Sequence, residues 1–136
     1  MASALPTNPL DWTNATRPTL EGDPVASVDT TYSVLIDTTG GWSIRVEGDC
    51  TLHHAGVELT VVDEQFDALG PTISAWVGQP LTGIEYDTSG GLVVRCAGDR
   101  LVVPASEDFE AWGIAGPQQE KVVSMPGGEV ATWGAV

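Results

Sequence analysis

Two groups of carboxylates have the residue types and spacing that could do chemistry: Asp63, Glu64 and Asp67, and then Glu107, Asp108 and Glu110. Acids so grouped can hold a cation or exchange a proton with a substrate. Neither group has the alternating ligands and central glycine of an EF-hand loop, and charge runs of this kind are ordinarily solvated faces. We read all six as an acidic binding surface, with no catalytic and no metal-ligating residue among them. His53 and His54 are adjacent. Neighbours in a strand point to opposite faces, so the pair cannot chelate one ion together, and no His-x-x-x-His or Cys pair supports either as a metal ligand. Cys50 and Cys96 lack CxxC spacing. Cys96 falls in an apolar alternation and reads as a small core residue, and a disulfide between the two is disfavoured in a reducing compartment. There is no Gly-x-Ser-x-Gly elbow and no phosphate loop of Walker or Rossmann type. The expectation is a protein that is not an enzyme and uses no cofactor.

Charge narrows the kind of partner. Nineteen acids against five bases give a formal net charge of −14 over 136 residues. Nucleic-acid binding rests on basic patches that displace counterions, and anionic membrane surfaces attract polybasic segments; this composition disfavours both. A negative field speeds the approach of a cation, so a basic protein partner is the favoured one, against the plainer reading that the charge serves solubility. No apolar run approaches the ~20 residues that span a bilayer. The N-terminus has neither a basic start nor a continuous apolar core, and the expected location is the cytoplasm.

These residues sit on a framework that is written twice. Asp37–Asp49 returns as Asp87–Asp99 at a constant offset of 50, with seven of thirteen pairs identical. The apolar slots match as well: Trp42 with Leu92, Ile44 with Val94, Val46 with Cys96. Apolar residues two apart share a strand face. Each unit, residues 32–53 and 82–103, therefore reads as a three-stranded antiparallel meander. Its first hairpin would carry a four- or five-residue loop at Asp-Thr-(Thr/Ser)-Gly-Gly, and its second a type II′ turn at Gly48-Asp49 or Gly98-Asp99. Arg45 and Arg95 recur at equivalent places and are expected to bridge neighbouring carboxylates. Between the units, Phe66, Leu69, Ile73, Trp76 and Val77 fall at helical spacings, predicting a helix over Pro71–Val77 capped by Gly70. Phe109–Ala115, and a hairpin of Lys121–Met125 with Glu129–Trp133 about Pro126-Gly127-Gly128, complete the pattern. Trp42, Trp76, Trp112 and Trp133 lie in periodic apolar contexts and read as core. Residues 1–30, with Pro6, Pro9, Pro18 and Pro24, read as an arm that Leu10, Trp12 and Leu20 could anchor. Residues 31–136 read as one domain. The fold class is mainly β, a sandwich or partial barrel of two meanders and a C-terminal hairpin with one short helix; the alternative is an α+β sheet with the helix across one face.

The C-terminal third, Asp108-Phe109-Glu110-Ala111-Trp112-Gly113-Ile114 followed by Gly116-Pro117 and Val122–Trp133 with its Pro126-Gly127-Gly128-Glu129-Val130-Ala131-Thr132-Trp133 ending, resembles an actinobacterial family of small proteins of unknown function. The resemblance covers about residues 75–133 well and 32–74 loosely, and leaves the proline-rich arm outside. It implies a small cytoplasmic protein and brings no assigned activity or catalytic residue. Some such families look like immunity proteins of toxin systems, which would fit a toxin-neutralising role by analogy.

Overall fold

Period-two alternation of buried and exposed residues draws the chain into strands, and glycine-rich turns fold them back on one another. The computed structural model describes residues 7–9, 20–87 and 89–133. The strands are β1 (Thr7–Pro9), β2 (Val25–Asp29), β3 (Val34–Thr38), β4 (Ser43–Val46), β5 (Cys50–His54), β6 (Val57–Val61), β7 (Leu81–Asp87), β8 (Leu92–Cys96), β9 (Asp99–Val103), β10 (Trp112–Ala115), β11 (Lys121–Ser124) and β12 (Val130–Trp133). They form two six-stranded sheets, β1-β7-β8-β9-β5-β6 and β12-β11-β10-β4-β3-β2, antiparallel throughout and not closed into a barrel. Ile36, Ile44 and Val46 of one sheet and Leu52, Val94 and Leu101 of the other are fully buried members of a single core. This is the mainly β class with one short helix.

The helix is shorter than its periodicity predicts. α1 covers Gly70–Ile73 between 3-10 turns at Phe66–Leu69 and Ser74–Trp76. Phe66, Leu69, Ile73 and Trp76 are all buried, so the apolar face is as expected. The C-terminal end stops early because Val77 is extended and bridges Val25, while the Gly78 N–H donates to the Val25 carbonyl at 2.8 Å. Part of the expected arm is also built into the body: β2 is an edge strand, and Leu20 and Val25 lie in the core. Leu10 and Trp12 fall outside the described residues. No helix among the described residues is long and apolar enough to cross a membrane.

The two repeats diverge in three ways. Both first hairpins close on three residues, not four or five: Thr38 N–H bonds the Trp42 carbonyl and Asp87 N–H the Gly91 carbonyl, each at 2.9 Å. The second closes one position earlier than the first. The shift moves each pairing by two, so every side chain keeps its face. Thr38 Oγ1 accepts from Trp42 N–H in one hairpin, and the Asp87 carboxylate accepts from Gly91 N–H in the other. The second turn is not type II′. Ala97 and Gly98 both have positive φ (54° and 80°), the pattern of a type I′ turn. Gly48 has no such φ and only bends the chain, without a tight hairpin turn. The first unit is therefore not a meander, because its third strand, β5, joins the other sheet. β4 already has β3 on one edge and β10 on the other, and Glu47 and Gly48 N–H are both captured by the Ala111 carbonyl, at 2.8 and 3.0 Å. β5 then fills the vacant edge of β9.

Two hairpin tips, one from each sheet, meet at a corner. The Gly90 carbonyl accepts from Trp112 Nε1 at 2.8 Å and from Ser124 Oγ at 2.9 Å. Tyr86 and Trp112 stack obliquely beside it, their ring centroids 6.4 Å apart. A Cβ on Gly128 would lie 2.5 Å from the Ser89 carbonyl oxygen. The Gly-Gly of the repeat and the Pro-Gly-Gly of the C-terminal hairpin are thus glycines for a close backbone approach as well as for turns.

Candidate functional site

A cleft of about 650 Å³ opens at one end of the molecule, where the chain passes between the sheets. Three connections build it. Glu47–Asp49 carries the chain from β4 across to β5, Asp63 and Glu64 follow β6, and Pro104–Phe109 leads from β9 back to β10. The first and third cross between the sheets, the second leaves β6 for the helical segment, and all three meet at the end where the acids are. Glu47, Asp49, Asp63, Glu64 and Asp108 all line the cleft, and Phe109, 46% exposed, forms part of its wall. Asp63 and Glu64 both adopt left-handed backbone, with φ of 54° and 62°, a conformation that side chains other than glycine and Asx visit at a cost. The 104–109 segment is pinned by Asp108 N–H donating to Ser106 Oγ at 3.1 Å and Gly127 N–H donating to the Ser106 carbonyl at 2.8 Å.

Of the six acids expected from the sequence, Asp63, Glu64 and Asp108 meet here. Asp67 is exposed on the 3-10 turn and Glu107 on the loop, and neither lines the cleft. Glu110 faces a second cavity of about 300 Å³ with Arg45 and Lys121, on the outer side of the β10–β4 pair, and Glu47 borders both cavities. Sequence reasoning missed Glu47, Asp49 and Phe109. A signal for the first was present: Glu47 stands where the other repeat has Ala97. Among the described residues no group of three or more His, Cys, Asp or Glu side chains is placed to hold a metal ion. Arg95 pairs with Glu85 as expected, whereas Arg45 has no carboxylate partner among the described residues.

A second polar cluster lies at the other end of the same sheet. Asp99, 6% exposed, accepts from Trp76 Nε1 at 3.0 Å and lies 2.8 Å from His54 Nδ1. His53 points to the opposite face, 3.7 Å from Glu58, so the two histidines share no ligand. The cysteines are free and buried. Burial, with Asp49 adding repulsion, pushes the Cys50 thiol up to about 12, and burial with Asp99 pushes Cys96 up to about 11. Both are protonated at neutral pH and poor nucleophiles. Alkylation of the native protein at pH 8 should label neither thiol, and denaturant should expose both, read by intact mass. The unfolded thiols titrate near the ordinary value of 9. Native thiols keep their protons above that pH while unfolded ones lose them. Their contribution to stability is intact below pH 9 and declines as pH rises toward 11–12, by about 1.4 kcal/mol per pH unit for each thiol. Denaturant midpoints measured across that range should fall less steeply when both are replaced by alanine.

Comparison with known families places the chain. A profile for a family of unknown function, DUF6188, matches residues 16–134. The chain belongs to the DUF6188 family. The match takes in both repeats and the C-terminal hairpin, a wider span than the C-terminal signature alone suggests. No curated protein and no solved structure matches. In this DUF6188 chain two residues of that signature, Trp112 and Gly128, are architectural, whereas Phe109 lines the cleft. Trp112 and Gly128 meet Gly90 and its neighbour at the corner between the sheets, and neither lines the acidic cleft.

Proposed function

We propose that this DUF6188 chain is a non-enzymatic binding protein that docks a basic protein through the acidic cleft, in the manner of an immunity protein covering a toxin. The observation that carries the reading is the convergence of five carboxylates from three separate connections on one cleft beside a half-exposed phenylalanine. Desolvated carboxylates pair with arginine in a forked geometry and with lysine as a point charge, and an aromatic face adds a cation–π contact. A net charge of −14 would steer such a partner in.

The test compares the native protein with the triple variant Asp63→Asn, Glu64→Gln, Asp108→Asn for binding to a panel of arginine- and lysine-rich proteins. All three positions are exposed, so the fold is retained. At least one panel member should bind the native protein with an affinity that falls as salt rises, and the variant should bind it about tenfold or more weakly, a loss of about 1.4 kcal/mol. Equal affinities for the two proteins would overturn the reading. The cleft's volume also lies within the range of small-molecule sites, which favours as second reading a small molecule, an organic cation, held by Asp63 and its neighbours. A thermal-shift screen with polyamines separates the two, since a ligand at 100-fold its dissociation constant adds about 2.7 kcal/mol.

A further inference from the structure

The outer face of the β7-β8-β9-β5-β6 segment carries cations in register. His53 of β5 lies opposite Arg100 of β9, and Arg100 lies opposite Arg95 of β8. Three donors therefore stand in one row across three strands, with neighbouring strands about 4.8 Å apart. Only four lysines and arginines are described in the chain, and two of them are here. Like charges directly opposite on neighbouring strands destabilise a sheet, and a chain with nineteen acids had ample means to compensate them. It does so for the two outer members only: His53 Nδ1 lies 3.7 Å from Glu58. The Arg95 stem lies over Gly83 and its guanidinium pairs with Glu85. Arg100 is exposed and has no carboxylate within salt-bridge distance among the described residues. A groove of about 330 Å³ runs along the row, bordered by Thr82, by Gly56 and Gly98 of the two tight turns, and by Asp99, whose buried carboxylate is engaged with Trp76 and His54.

Antiparallel pairing puts this groove at the far end of the sheet from the acidic cleft. The cleft gathers the start of β5 and the ends of β6 and β9; the groove gathers the end of β5, the start of β9 and the end of β8. Five-residue strands separate the two by roughly 16 Å, beyond the ~8–10 Å Debye length at physiological salt, so the acidic end does not cancel the potential here. A second copy of the chain is an unsuitable occupant, because two chains of net charge −14 repel. A planar carboxylate is saturated by a single guanidinium fork, whereas a tetrahedral oxyanion offers acceptors in three directions and suits a row of separate donors.

We propose that the Arg100 groove binds a tetrahedral oxyanion, the phosphate group of a small molecule, with Arg100 as the main ligand and Arg95 and His53 on either side. The site is distinct from the acidic cleft, and neither reading depends on the other. The test is a titration of the isotopically labelled full chain with inorganic phosphate at constant ionic strength, followed by amide and side-chain NMR. Phosphate should produce saturable shifts confined to His53, Thr82, Arg95, Gly98 and Arg100. Arg100→Gln, on an exposed strand position, should keep the remaining spectrum and weaken binding about tenfold or more. Acetate at the same ionic strength should bind more weakly than phosphate. Shifts that fail to saturate, that chloride or acetate reproduces, or that survive Arg100→Gln unchanged would overturn the assignment.

Discussion

Gly90→Ala should abolish or nearly abolish the cooperative fold. Gly90 has a φ of +87°, and a Cβ there would collide with the Gly128 carbonyl, 2.8 Å from its carbon and closer still to its oxygen. The obstacle is backbone from the other sheet and cannot rotate away. Relief requires the two hairpin tips to part, which breaks the bonds from Trp112 Nε1 and Ser124 Oγ to the Gly90 carbonyl and leaves two buried donors unpaired. An orphaned buried donor costs about 1–3 kcal/mol, and left-handed backbone about 1–2 kcal/mol more for alanine. The total, about 4 kcal/mol or more, is a large part of the 5–15 kcal/mol that stabilises a typical domain. Gly98→Ala is the control. It shares a positive φ of +80° but has nothing within 4 Å of the added methyl, so it should cost only about 1 kcal/mol. Urea unfolding followed by tryptophan fluorescence separates the two variants. Equal small losses would show that the corner yields.

Asp99→Ala should be the most damaging change of a single polar side chain. Its carboxylate ties the connecting helical segment to the sheet, bonding Trp76 Nε1 and His54 Nδ1 at once. His54 is half-exposed and can turn to water, but Trp76 is fully buried and its indole N–H would be stranded. The expected loss is about 2–4 kcal/mol, since bonds to charged groups exceed neutral ones and the stranded donor adds its own penalty. Asp99→Asn should cost less, because its Oδ1 can still accept from Trp76 Nε1 while its NH₂ faces the half-exposed His54. Trp76→Phe removes the donor instead. A double-mutant cycle should therefore show coupling of about 1 kcal/mol or more, with Asp99→Ala costing less in the Trp76→Phe background. Additive losses would mean that the two side chains do not act as a pair.

The repeat illustrates how far residue type alone carries. Asp49 and Asp99 are the same residue at the same slot, yet Asp49 is exposed on the wall of the cleft and Asp99 is buried under an indole. Their fates part because Gly48 is drawn onto Ala111, which sends the chain across to the other sheet, whereas Ala97-Gly98 turns tightly within one sheet. Ala111 is 63 residues further along the chain, and no local pattern around Gly48 reports it. Asp63 and Glu64 were legible as acids and Asp108 likewise. That they face one another was not, because their convergence depends on which strand ends lie at the same end of the sandwich.

Periodicity and composition by themselves determined the strand faces, the buried side of the short helix, the C-terminal hairpin, the free core cysteine at position 96 and the net negative charge, since each of these depends only on near neighbours or on residue counts. Tertiary structure alone decided the crossing of β5, the corner at Gly90, the assembly of the acidic cleft and the row of His53, Arg100 and Arg95. Alternation states which side chains share a face of a strand, but the neighbour of a strand is set by which edges remain open once distant segments have paired. Charges brought together across those edges are therefore a property of the fold and of no single stretch of sequence.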